Sequence, residues 1–173
     1  MAEKLLPEHI DPFRYAEQTL TLKGFVSLSD MSRLTGSLSS TAGEVTADLQ
    51  FGIDEQGLAF IKGHLRAMLI LQCQRCLEPF NYEIISDFLL GLVNNLDEAN
   101  ALPATYEPAL VQEGELALRE LIEDELILNL PIIPKHDPDV CQATMSLSDS
   151  GGPEGKDANP FHVLKSLKHK QQR

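Results

Sequence analysis

The stretch EVTADLQF at residues 44–51 alternates polar and apolar side chains at every position. A period of two places the apolar residues on one face of a β-strand and the polar residues on the other. The same alternation returns in LRAMLIL at residues 65–71 and in FNYEI at residues 80–84, with turn segments at 54–57 and 72–79. Consecutive short strands joined by brief turns predict an antiparallel, mostly β sheet, either open or closing towards a partly open barrel.

Further elements are predicted on both sides of this sheet. Residues 17–28 have the pattern of one more half-buried strand. A short helix is expected to follow, with Ser29 as its N-cap and with Met31 and Leu34 on its apolar face. Residues 94–113, which are interrupted by two prolines, are predicted to form a loop.

The clearest helical pattern is ELALRELIEDELILN at residues 115–129. Its apolar stripe consists of Leu118, Leu121, Ile122 and Leu126. Acidic residues occupy the opposite side, and Pro131 and Pro134 end the pattern. A mostly β region followed by this acidic helix predicts an α+β fold, with residues 1–143 as a single domain.

The last thirty residues differ from this domain in composition. Residues 144–158 are rich in serine and glycine, which is typical of a flexible linker. Asn159 and Pro160 then form an N-cap and first-turn pair, which opens a short amphipathic helix. Because residues 156–173 contain five basic residues and one acidic residue, a basic amphipathic tail helix is predicted at 159–173.

The net charge of −12 over 173 residues is unevenly distributed. Residues 97–139 contain eleven acidic residues and two basic ones, a composition that repels bare nucleic acid and attracts a basic protein. No window approaches the roughly 20 consecutive apolar residues of a membrane span. The first residues also lack the apolar run of a signal peptide. We therefore expect a cytoplasmic protein that binds a partner. Neither a membrane nor a small-molecule substrate is expected among its binding partners.

The most specific motif is Cys73-Gln74-Arg75-Cys76, in which two thiolates can turn inward and grip one metal ion. A second half-site lies downstream, at His136 and Cys141. Three sulfurs and one imidazole match a closed, tetrahedral zinc site of the structural kind. Such a site would join the segment after the acidic helix to the sheet and would leave no position open for catalysis.

Two other interpretations of these cysteines stay open. The 59 residues between Cys76 and His136 are far more than compact zinc modules have. The cysteines therefore also match small, partly buried side chains at the end of a hairpin. They also match a redox pair, although no βαβ pattern surrounds the motif.

The acidic helix contains carboxylates of the type that a divalent-metal nuclease uses, at Glu120, Glu123 and Asp124. Neighbouring helical residues diverge by roughly 100°, so the run does not converge on one ion. A solvated acidic face suited to a basic partner is the preferred interpretation. The sequence also contains no P-loop, dinucleotide-binding fingerprint or nucleophile motif, so no catalytic residue is predicted.

Five phrases occur in a specific order: LQCQRCLEPF at 71–80, ALPATYEP at 101–108, EDELILNLPIIPKHD at 123–137, Cys141, and NPFHVLKSLK at 159–168. Together they resemble the YceD family, also described as large ribosomal RNA subunit accumulation proteins. The resemblance covers nearly the whole chain. It implies a non-enzymatic role in biogenesis of the large ribosomal subunit, supporting accumulation of the long, 23S-type rRNA.

The family's paired cysteines match Cys73 and Cys76, and a variable later pair matches His136 and Cys141. Combined with the charge distribution, the resemblance implies contact with a basic ribosomal protein or a preribosomal particle. The residues expected to make this contact are Glu120, Glu123, Asp124, Phe161, Leu164, Lys165 and Lys168.

Two alternative functions stay open at this point. One is a metal-dependent nuclease in rRNA maturation, which would use the carboxylates of the acidic helix. The other is a protein that binds rRNA directly, through the basic tail and through a patch formed by Lys62, Arg66 and Arg75.

Overall fold

A computed structural model describes residues 4–141. Their strands are β1 (His9–Ile10), β2 (Thr21–Ser27), β3 (Glu44–Ile53), β4 (Ala59–Gln72), β5 (Pro79–Val93), β6 (Glu107–Leu110) and β7 (Leu116–Ala117). Strands β2 to β6 form one sheet in chain order, and β1 pairs with β7 in a second, two-stranded sheet. The expected α+β, mostly β fold is therefore confirmed, with an open sheet and not a barrel.

Strand β3 contains the alternating stretch that predicted the sheet. Its apolar side chains Val45, Leu49 and Phe51 are buried, whereas Glu44 and Gln50 are exposed. Antiparallel pairing with β2 and β4 continues this separation across the neighbouring strands. One face of the sheet thus packs on the core and the other faces solvent, as is common for antiparallel sheets.

Four helices occur in the described residues: α1 (Pro12–Glu17), α2 (Ser32–Thr35), α3 (Leu96–Ala101) and α4 (Leu118–Leu128). Helix α4 is the predicted acidic helix, and it begins later than expected because Leu116 and Ala117 belong to β7. Leu118, Ile122 and Leu126 of α4 are fully buried. Burying each such side chain contributes about 1.5–3 kcal/mol, so the apolar stripe fixes the helix on the core.

The segment predicted as a loop at 94–113 is partly regular, so that expectation was wrong. Helix α3 begins after Asn95, whose side chain accepts a hydrogen bond from the backbone N–H of Glu98. Strand β6 then pairs with β5 in parallel. A proline is tolerated in β6 because this strand lies at the edge of the sheet.

The expected N-cap role of Ser29 was also wrong. Ser29 lies within a 3-10 turn at Leu28–Asp30, and Met31 is the residue that precedes α2. The backbone N–H groups at the start of α2 therefore need another acceptor, which α4 supplies as described below.

The N-terminal segment covers the β2 edge of the main sheet. The backbone N–H of Leu6 donates to the Phe25 carbonyl at 3.0 Å, and the N–H of Phe25 donates to the Lys4 carbonyl at 3.1 Å. The other edge of the sheet is β6. Edge strands with unpaired backbone groups are templates for pairing with another chain, so the two edges differ in their availability.

Some predicted features lie outside the described residues, namely the linker at 144–158 and the tail helix at 159–173. The proposed end of the domain at residue 143 accordingly stays a prediction. Within residues 4–141, no helix has both the length and the apolar character needed to cross a membrane.

Candidate metal centre and acidic cleft

The Cys73–Cys76 motif forms the connection between β4 and β5. The Cys73 N–H donates to the Glu78 carbonyl at 3.0 Å, and the Leu77 N–H donates to the Cys73 carbonyl at 2.9 Å. Leu77 has a φ of 66°, in the left-handed region that non-glycine residues rarely adopt. This tight turn directs both thiols to the same side of the hairpin end.

The second half-site comes from the segment that follows α4. The Gln74 N–H donates to the Pro134 carbonyl at 2.8 Å, which ties this segment to the cysteine turn. The His136 ring packs against Phe80 with a centroid separation of 4.9 Å. The N–H groups of Val140 and Cys141 both donate to the Asp137 carbonyl at 3.1 Å, so a second turn presents Cys141.

The structure brings together all four residues that the sequence predicted as metal ligands. Their potential ligand atoms, from Cys73, Cys76, His136 and Cys141, all lie within 4.8 Å of one another. The Cys73 and Cys141 sulfurs are 3.9 Å apart, and the Cys76 sulfur is 3.2 Å from Nδ1 of His136. With zinc–sulfur bonds of about 2.3 Å, a tetrahedral site has sulfurs separated by roughly 3.8 Å. The donor set and its spacing therefore fit zinc.

The electrostatics of the cluster favour a thiolate at Cys73. Burial raises the pKa of this thiol, but hydrogen bonds from the backbone of Cys76, His136 and Arg75 and from the His136 ring lower it to about 5. The Cys73 side chain in turn raises the pKa of His136. Because the thiolate is the form that binds metal, the site is prepared for a cation.

The Arg75 side chain is directed towards the cysteine–histidine cluster and not towards Lys62 and Arg66. Its Nε donates to the Cys141 sulfur at 3.0 Å, and its guanidinium also donates to the His136 carbonyl at 3.3 Å. Arg66, on the solvent face of β4, pairs with Glu83. The candidate patch of Lys62, Arg66 and Arg75 is thus divided, and two of its three charges already have partners.

Glu123, one of the expected partner-binding residues, belongs to the interior. Only 4% of the residue is exposed. Its carboxylate accepts hydrogen bonds from the backbone N–H groups of Arg33 at 2.7 Å and Leu34 at 2.9 Å, and it pairs with the Arg33 guanidinium. The expectation that Glu123 faces a partner was therefore wrong, because this carboxylate caps α2 from α4.

The other two acidic residues expected to bind a partner are exposed on the same helix. Asp124 forms an ion pair with Arg33, which also donates to the Glu120 backbone carbonyl. The Glu120 carboxylate has no hydrogen-bond or ion-pair partner in residues 4–141. The structure thus leaves part of the predicted acidic face open.

This open part borders a cleft of about 1000 Å³ between α4, β6 and β7. The acidic cleft, as we call it, is lined by six carboxylate residues: Glu107, Glu113, Glu115, Glu120, Asp124 and Glu125. Neither lysine nor arginine is among its lining residues in the described part of the chain. Three of these acids lie on α4, and the other three lie on β6 and in the β6–β7 turn. Glu107 and Glu113 are the two that the helical pattern at 115–129 did not include.

Glu125 is the most buried carboxylate of the acidic cleft. It is 9% exposed, and its carboxylate has no hydrogen-bond or ion-pair partner within residues 4–141. Burial raises the pKa of Glu125, and the nearby negative charges of Glu107 and Asp124 raise it further. Because burial and these like charges disfavour the ionised carboxylate, a cation placed beside Glu125 would stabilise it.

The carboxylates do not converge in the manner of a two-metal nuclease. In the described region, the group of His, Cys, Asp and Glu residues spaced to hold a metal ion is the cysteine–histidine cluster. The expected contact residues of the tail, Phe161, Leu164, Lys165 and Lys168, lie outside the described residues.

Comparison with known proteins agrees with the phrases recognised in the sequence. The family model described as "Large ribosomal RNA subunit accumulation protein YceD" matches residues 61–168, more than half of the chain. This chain belongs to the YceD family. A YceD-family relative from Haemophilus influenzae, named large ribosomal RNA subunit accumulation protein YceD, is 36% identical over 174 residues. The alignment covers 98% of this chain and 100% of the relative.

The region matched by the YceD model contains most of β4, all of β5 to β7 and α4, and all four candidate metal ligands. It also contains the whole segment from Glu107 to Glu125 that borders the acidic cleft. No match is found among solved structures.

Proposed function

We propose that this YceD-family protein is a non-catalytic factor in large ribosomal subunit biogenesis, which supports accumulation of the long rRNA by binding a basic ribosomal protein or a preribosomal particle. The observation that carries the proposal is the acidic cleft, with six carboxylates and no lysine or arginine among its lining residues in the described chain. Proteins that bind rRNA carry positive surfaces, because affinity for phosphates comes from lysine and arginine. Such a partner complements the cleft in charge.

The family supports the same assignment. The relative from Haemophilus influenzae is named for accumulation of large ribosomal subunit RNA, and it aligns with this chain along its full length. An acidic protein binds a ribosomal particle most favourably through the particle's basic proteins, since direct contact with the rRNA phosphates is repulsive. The cleft, and not the helix alone, is therefore the proposed contact surface.

The proposal is tested by co-sedimentation of the tagged protein with large-subunit precursors at low salt. A triple variant of the cleft, Glu107→Gln, Glu115→Gln and Glu120→Gln, is expected to reduce co-sedimentation by about tenfold or more. The matched control changes three exposed acids outside the cleft and alters the net charge identically: Glu17→Gln, Glu44→Gln and Glu55→Gln. If both variants lose co-sedimentation equally, total charge alone explains the effect. If neither variant loses it, the cleft is refuted as the contact surface.

We infer in addition that Cys73, Cys76, His136 and Cys141 hold a structural zinc ion. Bound zinc would join the β4–β5 turn to the segment after α4, and the four protein ligands leave no position for a substrate. The fit of the four ligand atoms, all within 4.8 Å of one another, supports this assignment. None of the four ligands lines the acidic cleft, so we assign the metal to stability and not to partner contact.

Metal analysis of protein purified without chelator tests the zinc assignment. One zinc per chain is expected, and His136→Asn is expected to remove it. His64→Asn is the matched control, because His64 is an exposed histidine on β4 paired with Asp87. A zinc content near zero in the unmodified protein would instead support simple packing of the cysteines.

A further inference from the structure

The acidic cleft lies between two strands that begin as a hairpin and then separate. Gln112 and Glu115 pair across a two-residue turn, in which Glu113 and Gly114 both have positive φ. From this turn, β6 joins β5 in the main sheet, whereas β7 joins β1 in the small sheet. The facing edges of β6 and β7 are therefore not bonded to each other in the described structure, and the cleft opens between them.

The outer edge of β6 presents backbone groups to this cleft. The Val111 N–H donates to the Val93 carbonyl at 2.8 Å, so the peptide groups of Val111 point towards β5. Peptide groups alternate along a strand, which directs those of Pro108 and Leu110 away from β5. Pro108 offers a carbonyl only, whereas Leu110 offers both an N–H and a carbonyl.

The side chains around this edge select for positive charge. Glu125 projects from α4 into the cleft, 9% exposed and without a hydrogen-bond or ion-pair partner in the described residues. Glu107 at the start of β6 and Glu120 on α4 border the same space. An amine or guanidinium placed beside Glu125 would supply the charge-assisted hydrogen bonds that this buried carboxylate lacks.

We infer that the cleft binds an extended, lysine- or arginine-rich segment of a partner protein, which adds as a strand along β6 and places one basic side chain against Glu125. This inference rests on the proposed function and specifies how the basic partner is held. Main-chain pairing with an edge strand supplies affinity, and side-chain sites along it supply specificity. The opposite edge, at β2, is already covered by residues 4–6, which leaves β6 as the edge for this purpose.

Fluorescence anisotropy with the full chain and a labelled peptide of about nine residues, in which lysine alternates with threonine, tests the inference. The peptide is expected to bind, and the same peptide with glutamate in place of lysine is not. A third peptide keeps every lysine but has N-methyl groups on the amides of one edge. Its affinity is expected to fall by about tenfold, because N-methylation removes the donors needed for strand pairing. Equal binding of the methylated and parent peptides would refute strand addition.

Variants of the chain separate the two parts of the site. Glu125→Gln is expected to weaken peptide binding by about tenfold, whereas the matched change Glu55→Gln in the exposed β3–β4 turn leaves it unchanged. Leu110→Pro removes the outward N–H of β6 and is expected to weaken binding by a similar factor. Leu110→Ala keeps that N–H and is expected to bind within about twofold of the unmodified chain. Full binding by both Glu125→Gln and Leu110→Pro would overturn the inference.

The basic tail of the chain itself is the competing occupant of the cleft. A full-length variant with Lys165, Lys168, Lys170 and Arg173 changed to glutamine is expected to bind the peptide as the unmodified chain does. If only this variant binds, the cleft holds the chain's own tail, and the inferred partner is wrong. If no variant binds peptide while co-sedimentation still depends on the cleft carboxylates, strand addition fails and the proposed function stands. If no variant binds peptide and co-sedimentation does not depend on the cleft carboxylates either, strand addition and the proposed function are both refuted.

Discussion

At the scale of single residues, Glu123 and its neighbours on α4 have separate roles although they share one acidic run. Glu123 is buried and accepts the backbone N–H groups of Arg33 and Leu34, which begin a helix with no side-chain cap of its own. Glu120, one turn earlier, is exposed. The same residue type thus stabilises the fold at one position and is available to a partner at the other.

Glu123→Ala is expected to lower the free energy of unfolding by about 2–4 kcal/mol, because the backbone N–H groups of Arg33 and Leu34 lose their acceptor and the Arg33 guanidinium loses one of its two carboxylate partners. Glu120→Ala on the same helix is the control, and its effect is expected to stay within about 0.5 kcal/mol. Urea unfolding of both variants measures the difference. A similar small change in both would mean that the Glu123 contacts contribute little to stability.

Glu125 is expected to destabilise the fold at neutral pH. Burial, followed by the charges of Glu107 and Asp124, raises its pKa above the usual 4.5 in the folded state. The stability that this group contributes is therefore complete below pH 4.5 and is lost as the pH rises through the folded pKa. Glu125→Gln, which mimics the protonated acid, should unfold at a higher urea concentration than the unmodified protein at pH 7.

The pH dependence provides the control for this prediction. Below the unfolded pKa, the unmodified protein and Glu125→Gln should have nearly the same free energy of unfolding, since both side chains are neutral. A stability difference that is constant between pH 4 and pH 7 would contradict the assignment of the penalty to ionisation. The opposite expected effects of this variant, greater stability and weaker peptide binding, are typical of a residue retained for function.

At the scale of elements, the two edges of the main sheet differ through Gly24 on β2. A Cβ at Gly24 would lie 2.0 Å from the Lys4 carbonyl oxygen and 3.0 Å from the Leu6 side chain. The N-terminal segment reaches β2 only because this position lacks a side chain. Close backbone approach of this kind is a common reason for glycine within a strand.

Gly24→Ala is accordingly expected to displace residues 4–6 and to lower the free energy of unfolding by about 1–3 kcal/mol. Gly36→Ala is the control, because a Cβ there would meet its nearest neighbour at 4.0 Å and the backbone is helical. Hydrogen exchange should show faster exchange at the Phe25 and Leu6 amides in Gly24→Ala only. Unchanged exchange at these amides would show that the segment does not depend on the glycine.

The sequence was sufficient to predict elements whose burial follows a local pattern. Strand β3 and helix α4 were predicted because most of their apolar residues recur at the expected period and fall on the buried face. Strand β6 was missed, since its parallel pairing with β5 depends on a return through α3 that no short pattern encodes. Parallel strands need such crossover connections, whereas an antiparallel hairpin can be predicted from the residues of its short turn.

The site was predicted to a similarly uneven extent. The four residues of the candidate metal centre were named from residue type and spacing, because two paired cysteines with a later histidine and cysteine match the donor set of structural zinc. The acidic cleft did not follow, because its carboxylates come from β6, the β6–β7 turn and α4. The burial of Glu123 likewise depends on Arg33, 90 residues earlier in the chain.

At the scale of the whole molecule, the two candidate sites lie at separate places in the described residues. The candidate metal centre lies at the hairpin end formed by β4 and β5, and the acidic cleft lies beside the outer edge of β6. Helix α4 connects them, since its buried stripe fixes it on the core while its acidic side borders the cleft. Loss of function through unfolding and loss through failed binding should therefore be separable.

Cells that lack their own copy of the protein allow this separation to be measured, with the ratio of large-subunit to small-subunit rRNA as the readout. The triple variant Glu107→Gln, Glu120→Gln and Glu125→Gln should fold at least as stably as the unmodified protein and yet fail to restore the ratio, because it lacks the charge that binds the partner. Glu123→Ala should fail only in proportion to its reduced abundance and should recover when it is expressed more strongly. Recovery of the triple variant under stronger expression to the same degree would contradict a binding role for the cleft and would leave stability as its only contribution.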